Sequence, residues 1–244
     1  MKTPAIEICI DCSTVELALH NARASHDGGA NRLECCARMD VGGLTPDPRF
    51  LERMRHSLAS APEILAMIRP RDGGFDFSAE EIRGMQEDIR SAALAGADGV
   101  VIGALKHGLP DPAALDVLCG EAIKHDLRVT FHRAFDAVSD RPKALNLLLE
   151  WPIQRILSAG TAWDGGQPAS RGIQVLLHLQ QQAAGRIEWV VGGGVGPENV
   201  AGLNRELDAL HPRSFHAYSS VMTDGRTDTR RVEAFARAVL PEDL

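Results

Sequence analysis

Short apolar runs rich in β-branched residues alternate with longer amphipathic stretches along the whole chain. Runs of this kind predict strands, and apolar residues at helical spacing predict helices between them. In the first run the isoleucines fall on one face of the pleat, while Glu7, Cys9 and Asp11 fall on the other. The eight predicted strands are residues 5–11, 32–37, 63–69, 99–104, 128–134, 155–159, 187–192 and 214–219.

The stretches between the predicted strands begin with residues that cap helices. Ser78 is followed three residues later by Glu81, which is the spacing of a capping box. Proline is favoured at the first helical position because its missing N–H would have no intrahelical partner there. The predicted helix starts are Ser13-Thr14, Asp47-Pro48, Ser78, Asp111-Pro112 and Pro197, the last as the first residue of the seventh helix.

Alternation of strands and helices predicts an α/β fold with parallel strands and right-handed crossovers. Two architectures satisfy this pattern, a closed (β/α)8 TIM barrel and an open doubly wound sheet. Eight strands close a barrel, and the polar inward positions occur on strands across the chain instead of at one switch point. No stretch has the composition of a linker. We therefore expect one TIM-barrel domain over residues 1–244.

Composition and charge narrow the class of protein. Of the 244 residues, 44 % are hydrophobic and 24 % charged, as in ordinary globular proteins. The net charge of -7 argues against a nucleic acid or an anionic membrane as partner. No apolar run suits a signal peptide or a membrane span. The five cysteines are odd in number and lack zinc-finger spacing, which favours reduced thiols in the cytoplasm.

Two thiols lie at equivalent positions on neighbouring predicted strands. Cys9 follows Glu7 in a Glu-x-Cys sequence, and Cys36 follows Glu34 in a second one. Neighbouring strands are about 4.8 Å apart, so both sulfur atoms can approach one soft metal ion if the register allows it. Two thiolates without clustered histidines favour copper(I). The alternative is that both cysteines are small core residues, as most free cysteines are.

Two carboxyl groups also point into the predicted barrel, where burial raises and a nearby arginine lowers their pKa. Glu7, Glu34 and His132 are therefore candidate catalytic residues for general acid–base chemistry. Arg69 and Arg133 are placed to hold an anionic substrate. The alternative is a buried salt-bridge layer that closes the barrel.

Other strand ends supply further candidates for substrate binding. Arg71 carries a guanidinium group that suits a carboxylate or a phosphate, unless it is simply solvated. Asp136 and His216 lie near the ends of the fifth and eighth predicted strands. The chain leaves the seventh strand through three glycines, and the amides of Gly193 and Gly194 can bind an oxyanion. Glycines at this point also serve tight turns without any ligand.

Several motifs occur together along almost the whole chain, namely RLECC, VGGLTPDP, MIRPRDGGFDFS, GADGVVIGAL, VTFHRAFD, RILSAG, GGGV and FH. In combination they resemble the copper homeostasis protein CutC family. The resemblance implies a (β/α)8 barrel, a cytoplasmic homo-oligomer and a role in copper homeostasis through copper(I)-binding cysteines. Cys9 and Cys36 stand where the family places its cysteines, whereas Cys35 departs from the family's usual leucine.

Two functions stay open from the sequence. The first is a CutC-type protein that binds copper(I) through Cys9 and Cys36, with Met67 as a further soft ligand. The second is a TIM-barrel enzyme that acts on a small anionic or sugar-like substrate by Glu/His acid–base catalysis. The partner is accordingly a copper ion or a small-molecule anion, and the sequence does not choose between an enzyme and a binding protein.

Overall fold

Strands and helices alternate along the chain in a computed structural model that describes residues 3–58, 62–207 and 210–240. The ends of the predicted domain, residues 1–2 and 241–244, lie outside the described residues. The barrel strands are β1 (Ala5–Asp11), β2 (Arg32–Cys36), β3 (Glu63–Met67), β4 (Gly99–Ile102), β7 (Arg128–Phe131), β8 (Arg155–Ser158), β9 (Glu188–Val191) and β10 (Arg213–Ala217). The helices are α1 (Val15–Asp27), α2 (Pro48–Ser57), α3 (Ala79–Leu94), α4 (Pro112–Lys124), α5 (Arg141–Leu148), α6 (Ala169–Ala183), α7 (Val200–Glu206) and α8 (Thr229–Val239).

The barrel strands close on themselves in the order β1-β10-β9-β8-β7-β4-β3-β2. Every neighbouring pair in this ring is parallel. The last barrel strand pairs with the first, which is what distinguishes a closed barrel from an open sheet. The predicted (β/α)8 TIM barrel is therefore confirmed. Two antiparallel ribbons, β5 (Leu105–Lys106) with β6 (Leu109–Pro110) and β11 (Met222–Thr223) with β12 (Arg226–Thr227), lie in the connections.

Several strands end earlier than the sequence predicts. β3 ends at Met67 and β7 at Phe131, so Arg69 and His132 lie in the loops that follow. The cause at β7 is local, because the His132 side chain accepts a hydrogen bond from the Ala134 amide and the backbone turns into a 3-10 helix. The loops after the barrel strands gather at one end of the barrel, which we call the mouth.

Most helix starts are those that the sequence predicts. Thr14, Asp47 and Asp111 cap their helices, and Ser78 forms a complete capping box. The prediction for Pro197 is wrong, because α7 begins only at Val200. The side chain of Asn199 binds the Gly196 amide and the Gly194 carbonyl, which holds this segment in a turn. None of the helices in the described ranges combines the length and hydrophobicity that a transmembrane span requires.

Charged side chains fill the end of the barrel opposite the mouth, which we call the base. Arg32 donates to Glu7, Glu63 and Glu188 at 3.0, 3.1 and 3.0 Å. Arg155 adds a second guanidinium group and donates to Glu63 at 2.6 Å. Four of these five residues are the first residue of a barrel strand. The buried salt-bridge layer that the sequence raised as an alternative is thus present, and Glu7 belongs to it.

Two apolar clusters lie on the two faces of the barrel wall. The larger one joins the outer face of the strands to the helices and includes Cys35. The smaller one lies inside the barrel and contains Cys9, Cys36, Leu65, Met67 and Val101. Alternation along β2 therefore separates Cys35 from Cys36, and only the second thiol reaches the interior.

Candidate functional site

A cavity of about 250 Å³ opens at the mouth of the barrel. Its walls come from loops and strand ends around the ring, which is where proteins of this architecture place their ligand sites. The lining residues are Cys9, Glu34, Cys36, Met39, Gly42, Met67, Arg69, Phe75, His132, Arg133, Leu157, Trp163, Gly193, Gly194, Val195, His216, Tyr218, Ser219 and Ser220. The structure therefore brings together most of the residues that the sequence analysis selected.

Three of the predicted site residues do not line this cavity. Glu7 lies below it in the base. Arg71 pairs with Glu81 at 2.5 Å and otherwise donates to carbonyl groups of its own loop. Asp136 is buried behind the wall, where it accepts from Ser158 Oγ at 2.5 Å and from Arg133 Nε at 2.8 Å. These three residues position other parts of the mouth and the base.

Three sulfur atoms meet inside the barrel. The Sγ atom of Cys9 lies 3.8 Å from that of Cys36 and 3.8 Å from the Sδ atom of Met39. The carboxylate of Glu34 is close enough that one of its oxygen atoms and both thiols lie within 4.8 Å of one another. Met67 lines the cavity beside this cluster. We call Cys9, Cys36 and Met39 the sulfur cluster.

Both thiols of the sulfur cluster are held in their protonated form. The hydrogen bond with Cys36, together with burial, raises the pKa of Cys9 well above its usual value. For Cys36 the hydrogen bond from Cys9 lowers the pKa, but burial and the charge of Glu34 outweigh it and raise the pKa to about 12. Binding of a metal ion to either sulfur therefore requires the loss of a proton.

A buried chain of charged groups connects the sulfur cluster to the base. His216 Nδ1 lies 2.8 Å from Glu7 Oε1, and its Nε2 lies 3.7 Å from Glu34 Oε2. Burial lowers the pKa of His216, but Glu34 and Glu7 outweigh it and raise the pKa above its usual value. Burial raises the pKa of Glu34. Glu7 has a pKa of about 2, because the His216 hydrogen bond and Arg32 overcome the effect of burial.

The ring of His132 is fixed at the wall of the cavity. A Cβ atom on Gly103 would clash with the His132 ring, so only glycine at that position leaves room for it. Phe75 packs on the ring with a centroid distance of 5.1 Å. Burial and the charge of Arg69 lower the pKa of His132 to about 3. Since Nδ1 accepts from the Ala134 amide, the neutral ring carries its proton on Nε2.

Arg69 joins two loops of the mouth instead of facing open space. Its Nη1 atom donates to the carbonyl groups of Val41 and Gly43 at 3.0 and 3.2 Å, and its Nη2 atom to that of Gly73 at 2.9 Å. The guanidinium group also lies 5.1 Å from the centre of the Phe75 ring. These contacts fix the loops after β2 and β3, which form one side of the cavity.

Several lining residues were not predicted from the sequence, and two of them contact groups that matter most at the site. Met39 completes the sulfur cluster from a 3-10 helix that follows β2, and Trp163 packs against Arg133. Neither residue lies on a strand, so strand alternation gave no signal for it. The only available signal was the position of Met39, three residues after Cys36.

Comparison with known proteins places this arrangement in a family. The sequence profile of the CutC family matches residues 4–212. A CutC family protein of Vibrio campbellii is 43 % identical over 197 residues, covering 80 % of this chain and 74 % of that protein. The human copper homeostasis protein cutC homolog is 39 % identical over 213 residues, covering 86 % of this chain and 71 % of that protein.

A solved structure agrees with these sequence relationships. The crystal structure of CutC from Streptococcus agalactiae is 30 % identical and superposes with a TM-score of 0.75. The match covers 87 % of this chain and 98 % of the other. The resemblance carried by the sequence motifs is thereby confirmed. This chain belongs to the CutC family.

Proposed function

We propose that this protein binds copper(I) at the sulfur cluster and acts in copper homeostasis. The observation that carries the proposal is the meeting of two thiols and a thioether inside the barrel, at sulfur-to-sulfur distances of 3.8 Å. Soft sulfur ligands select copper(I) over hard cations. The copper homeostasis name of the human relative supports the same role.

The spacing of the sulfur atoms suits a single ion. Metal–thiolate bonds are roughly 2.3 Å long, so three sulfur atoms around one ion lie about 4 Å apart. The separations of 3.8 Å between Cys9 and Cys36 and between Cys9 and Met39 are close to this value. Cys9 can therefore share one ion with Cys36 or with Met39 with little movement of the backbone. Thioether coordination favours copper(I) over zinc, which prefers four ligands from cysteine, histidine and carboxylate groups.

The thiols are buried and yet border an open cavity. Cys9 and Cys36 are 2 % and 1 % exposed, and both line the space that opens at the mouth. An ion can therefore enter from the mouth, while the surrounding side chains limit the access of water and oxidants. Glu34 lies beside the sulfur atoms, and its negative charge favours a bound cation.

The second function that the sequence left open has less support. Glu7 does not reach the cavity, because it is bound in the base. The pKa of His132 is about 3, far from the value at which a general base works best near neutral pH. We therefore retain copper(I) binding as the proposed function, with the copper ion as the partner.

Location and assembly are further parts of the proposal. All five cysteines are free thiols, which fits the reducing conditions of the cytoplasm. The homo-oligomer implied by the family resemblance stays a prediction. Light scattering of the purified protein measures its mass directly, and a mass of one chain would contradict that prediction.

A competition titration tests copper binding. The reduced protein is titrated with copper(I) in the presence of a chromophoric chelator such as bicinchoninate. We expect one equivalent to bind tightly, and both Cys9→Ala and Cys36→Ala to weaken binding by about a hundredfold or more, since each removes a thiolate ligand. Thermal unfolding of each variant shows whether the fold is retained.

Cys35→Ala is the matched control. Cys35 is the neighbour of Cys36 on the same strand and is equally buried, but it lies on the outer face of the barrel wall. The proposal requires that this variant bind copper(I) as the unmodified protein does. Equal loss in all three variants, or no loss in Cys9→Ala, would contradict it.

A further inference from the structure

The side of the cavity across from the sulfur cluster carries hydrogen-bond donors that the copper site does not use. His132 and Arg133 follow β7, which stands four strands from β1 in the ring of eight. The glycine loop, residues 192–196, follows β9 and borders the same space. A copper ion fills only a small part of a cavity of about 250 Å³.

Arg133 is oriented by its neighbours but has unused donors. Its Nε atom donates to Asp136 at 2.8 Å, and its guanidinium group lies 5.1 Å from the centre of the Trp163 ring. Among the residues that the structure describes, nothing accepts a hydrogen bond from its Nη atoms. The side chain is 26 % exposed and lines the cavity. A guanidinium group held in this way is ready to bind an oxyanion.

The glycine loop adds donors next to this guanidinium group. In the described part of the chain, the amides of Gly193, Gly194 and Val195 have no acceptor. Gly193 and Gly194 have φ angles of +98° and +68°. A Cβ atom on Gly193 would lie 2.9 Å from the Cβ atom of Ala159 and 3.5 Å from Arg133 Cζ. Glycine therefore allows the loop to approach Arg133 closely, and consecutive amides in such turns bind anions.

His132 provides an independent sign that a ligand belongs here. Its side chain is only 4 % exposed and lines the cavity, and its Nε2 atom has no hydrogen-bond partner within the described ranges. Leaving a buried donor without a partner costs free energy in the unliganded protein. The ring is nevertheless fixed in place by Phe75 and the Ala134 amide. An oxygen atom of a bound molecule would satisfy it.

We propose that the cavity binds a small phosphate monoester, with its phosphate group at Arg133 and the glycine loop, and a second oxygen of the same molecule at His132 Nε2. The guanidinium group and three consecutive amides offer more donors than the two oxygens of a carboxylate need, whereas a phosphate presents three terminal oxygens. The ligand is held by hydrogen bonds and by the charge of Arg133, without a covalent bond. This site is separate from the sulfur cluster and does not require copper.

Binding of sn-glycerol 3-phosphate to the copper-free, reduced protein tests the proposal. Amide resonances are followed by ¹H–¹⁵N NMR during the titration, with inorganic phosphate and glycolate as comparison ligands. We expect saturable shifts of the Gly193, Gly194 and Val195 amides with sn-glycerol 3-phosphate, and weaker binding of inorganic phosphate because it lacks the second oxygen for His132. Absence of saturable shifts in this loop, or tighter binding of glycolate, would overturn the proposal.

Arg133→Gln and Arg38→Gln form a matched pair for the same titration. Arg38 also pairs with an aspartate near the mouth, but it is 61 % exposed and does not line the cavity. We expect Arg133→Gln to bind sn-glycerol 3-phosphate about tenfold to a hundredfold more weakly, and Arg38→Gln to bind it unchanged. Equal affinities would overturn the proposal. If Arg133→Gln does not fold, the amide shifts of the unmodified protein test the proposal on their own. Copper(I) binding is measured separately on the unmodified protein.

Discussion

The two ends of the barrel interior contain similar residue types but differ in how completely they are paired. At the base each carboxylate has at least one guanidinium partner. Arg155 Nη1 is buried there without a hydrogen-bond partner in the described part of the chain. At the mouth Glu34 Oε1, Arg69 Nε and His132 Nε2 are buried without partners among the described residues. Beside them lie two protonated thiols.

The base is therefore suited to stabilising the folded barrel, whereas the mouth is suited to binding a ligand. The paired charges at the base close the barrel and stabilise the folded protein through their ion pairs. Unpaired atoms at the mouth cost free energy in the empty protein, which a ligand recovers on binding. Substitutions at the base should therefore change the free energy of unfolding, and substitutions at the mouth should change affinity.

The largest effect is expected at the base. Arg32→Met leaves Glu7, Glu63 and Glu188 without their shared partner, and we expect the free energy of unfolding to fall by about 3–5 kcal/mol. Arg128→Met is the control, because Arg128 pairs with the same Glu63 but is 57 % exposed, and its loss should change the free energy by less than about 1 kcal/mol. Urea denaturation measures both. Equal effects would show that the base is not the stabilising layer.

Copper(I) affinity should rise steeply with pH. Cys36 has a pKa of about 12 and that of Cys9 is well above its usual value. Both thiols lose a proton when they bind the ion, so the affinity should increase about a hundredfold per pH unit, or about 2.7 kcal/mol. Competition titrations between pH 6 and 8 measure the slope, and calorimetry in two buffers counts the released protons. A pH-independent affinity would mean that the thiols are not the ligands.

His132 should make the folded state less stable in mild acid. Its pKa is about 3 in the folded protein and about 6.5 when unfolded. Between these values the unfolded chain binds a proton that the folded protein excludes, so stability falls as the pH falls. From pH 6.5 to 5 we expect the unmodified protein to lose up to about 2 kcal/mol more than His132→Gln. Parallel urea titrations compare the two, and identical pH profiles would contradict the neutral, buried ring.

The smallest effect is expected at the third sulfur. Met39→Leu keeps an apolar side chain of similar volume but removes the thioether, so we expect copper(I) affinity to fall about tenfold, equivalent to about 1.4 kcal/mol. Met67→Leu is the control, because Met67 lines the cavity without a sulfur contact to Cys9 among the described residues. Chelator competition separates the two variants. A larger loss in Met67→Leu would reassign the third ligand.

Much of the fold was readable from the sequence because it depends on local signals. Periodicity located the barrel strands, and caps such as Asp47 and Ser78 marked helix starts. The predicted helix start at Pro197 was wrong, because the Asn199 side chain holds a turn there and the helix begins only at Val200. That competing hydrogen bond depends on the folded geometry of the loop.

The site was predictable only where strand alternation applies. The Glu-x-Cys spacing predicted that Cys9 and Cys36 point into the barrel. Their contact was not predictable, because the strand register pairs Cys9 with Glu34, and the thiols meet only through the tilt of the strands. Met39 lies beyond the end of β2, so strand alternation could not predict its place in the site. The base, in contrast, had a signal in the sequence, because Arg32 and Glu63 each begin a barrel strand.

X-ray absorption at the copper K edge of the one-to-one copper(I) complex identifies the ligands of the ion. It reports the type and number of atoms bound to the ion. We expect a first coordination shell of two or three sulfur atoms, without nitrogen or oxygen ligands. A shell containing imidazole nitrogen or carboxylate oxygen, or a shell that is unchanged in Cys9→Ala, would contradict the assignment of the sulfur cluster as the copper site.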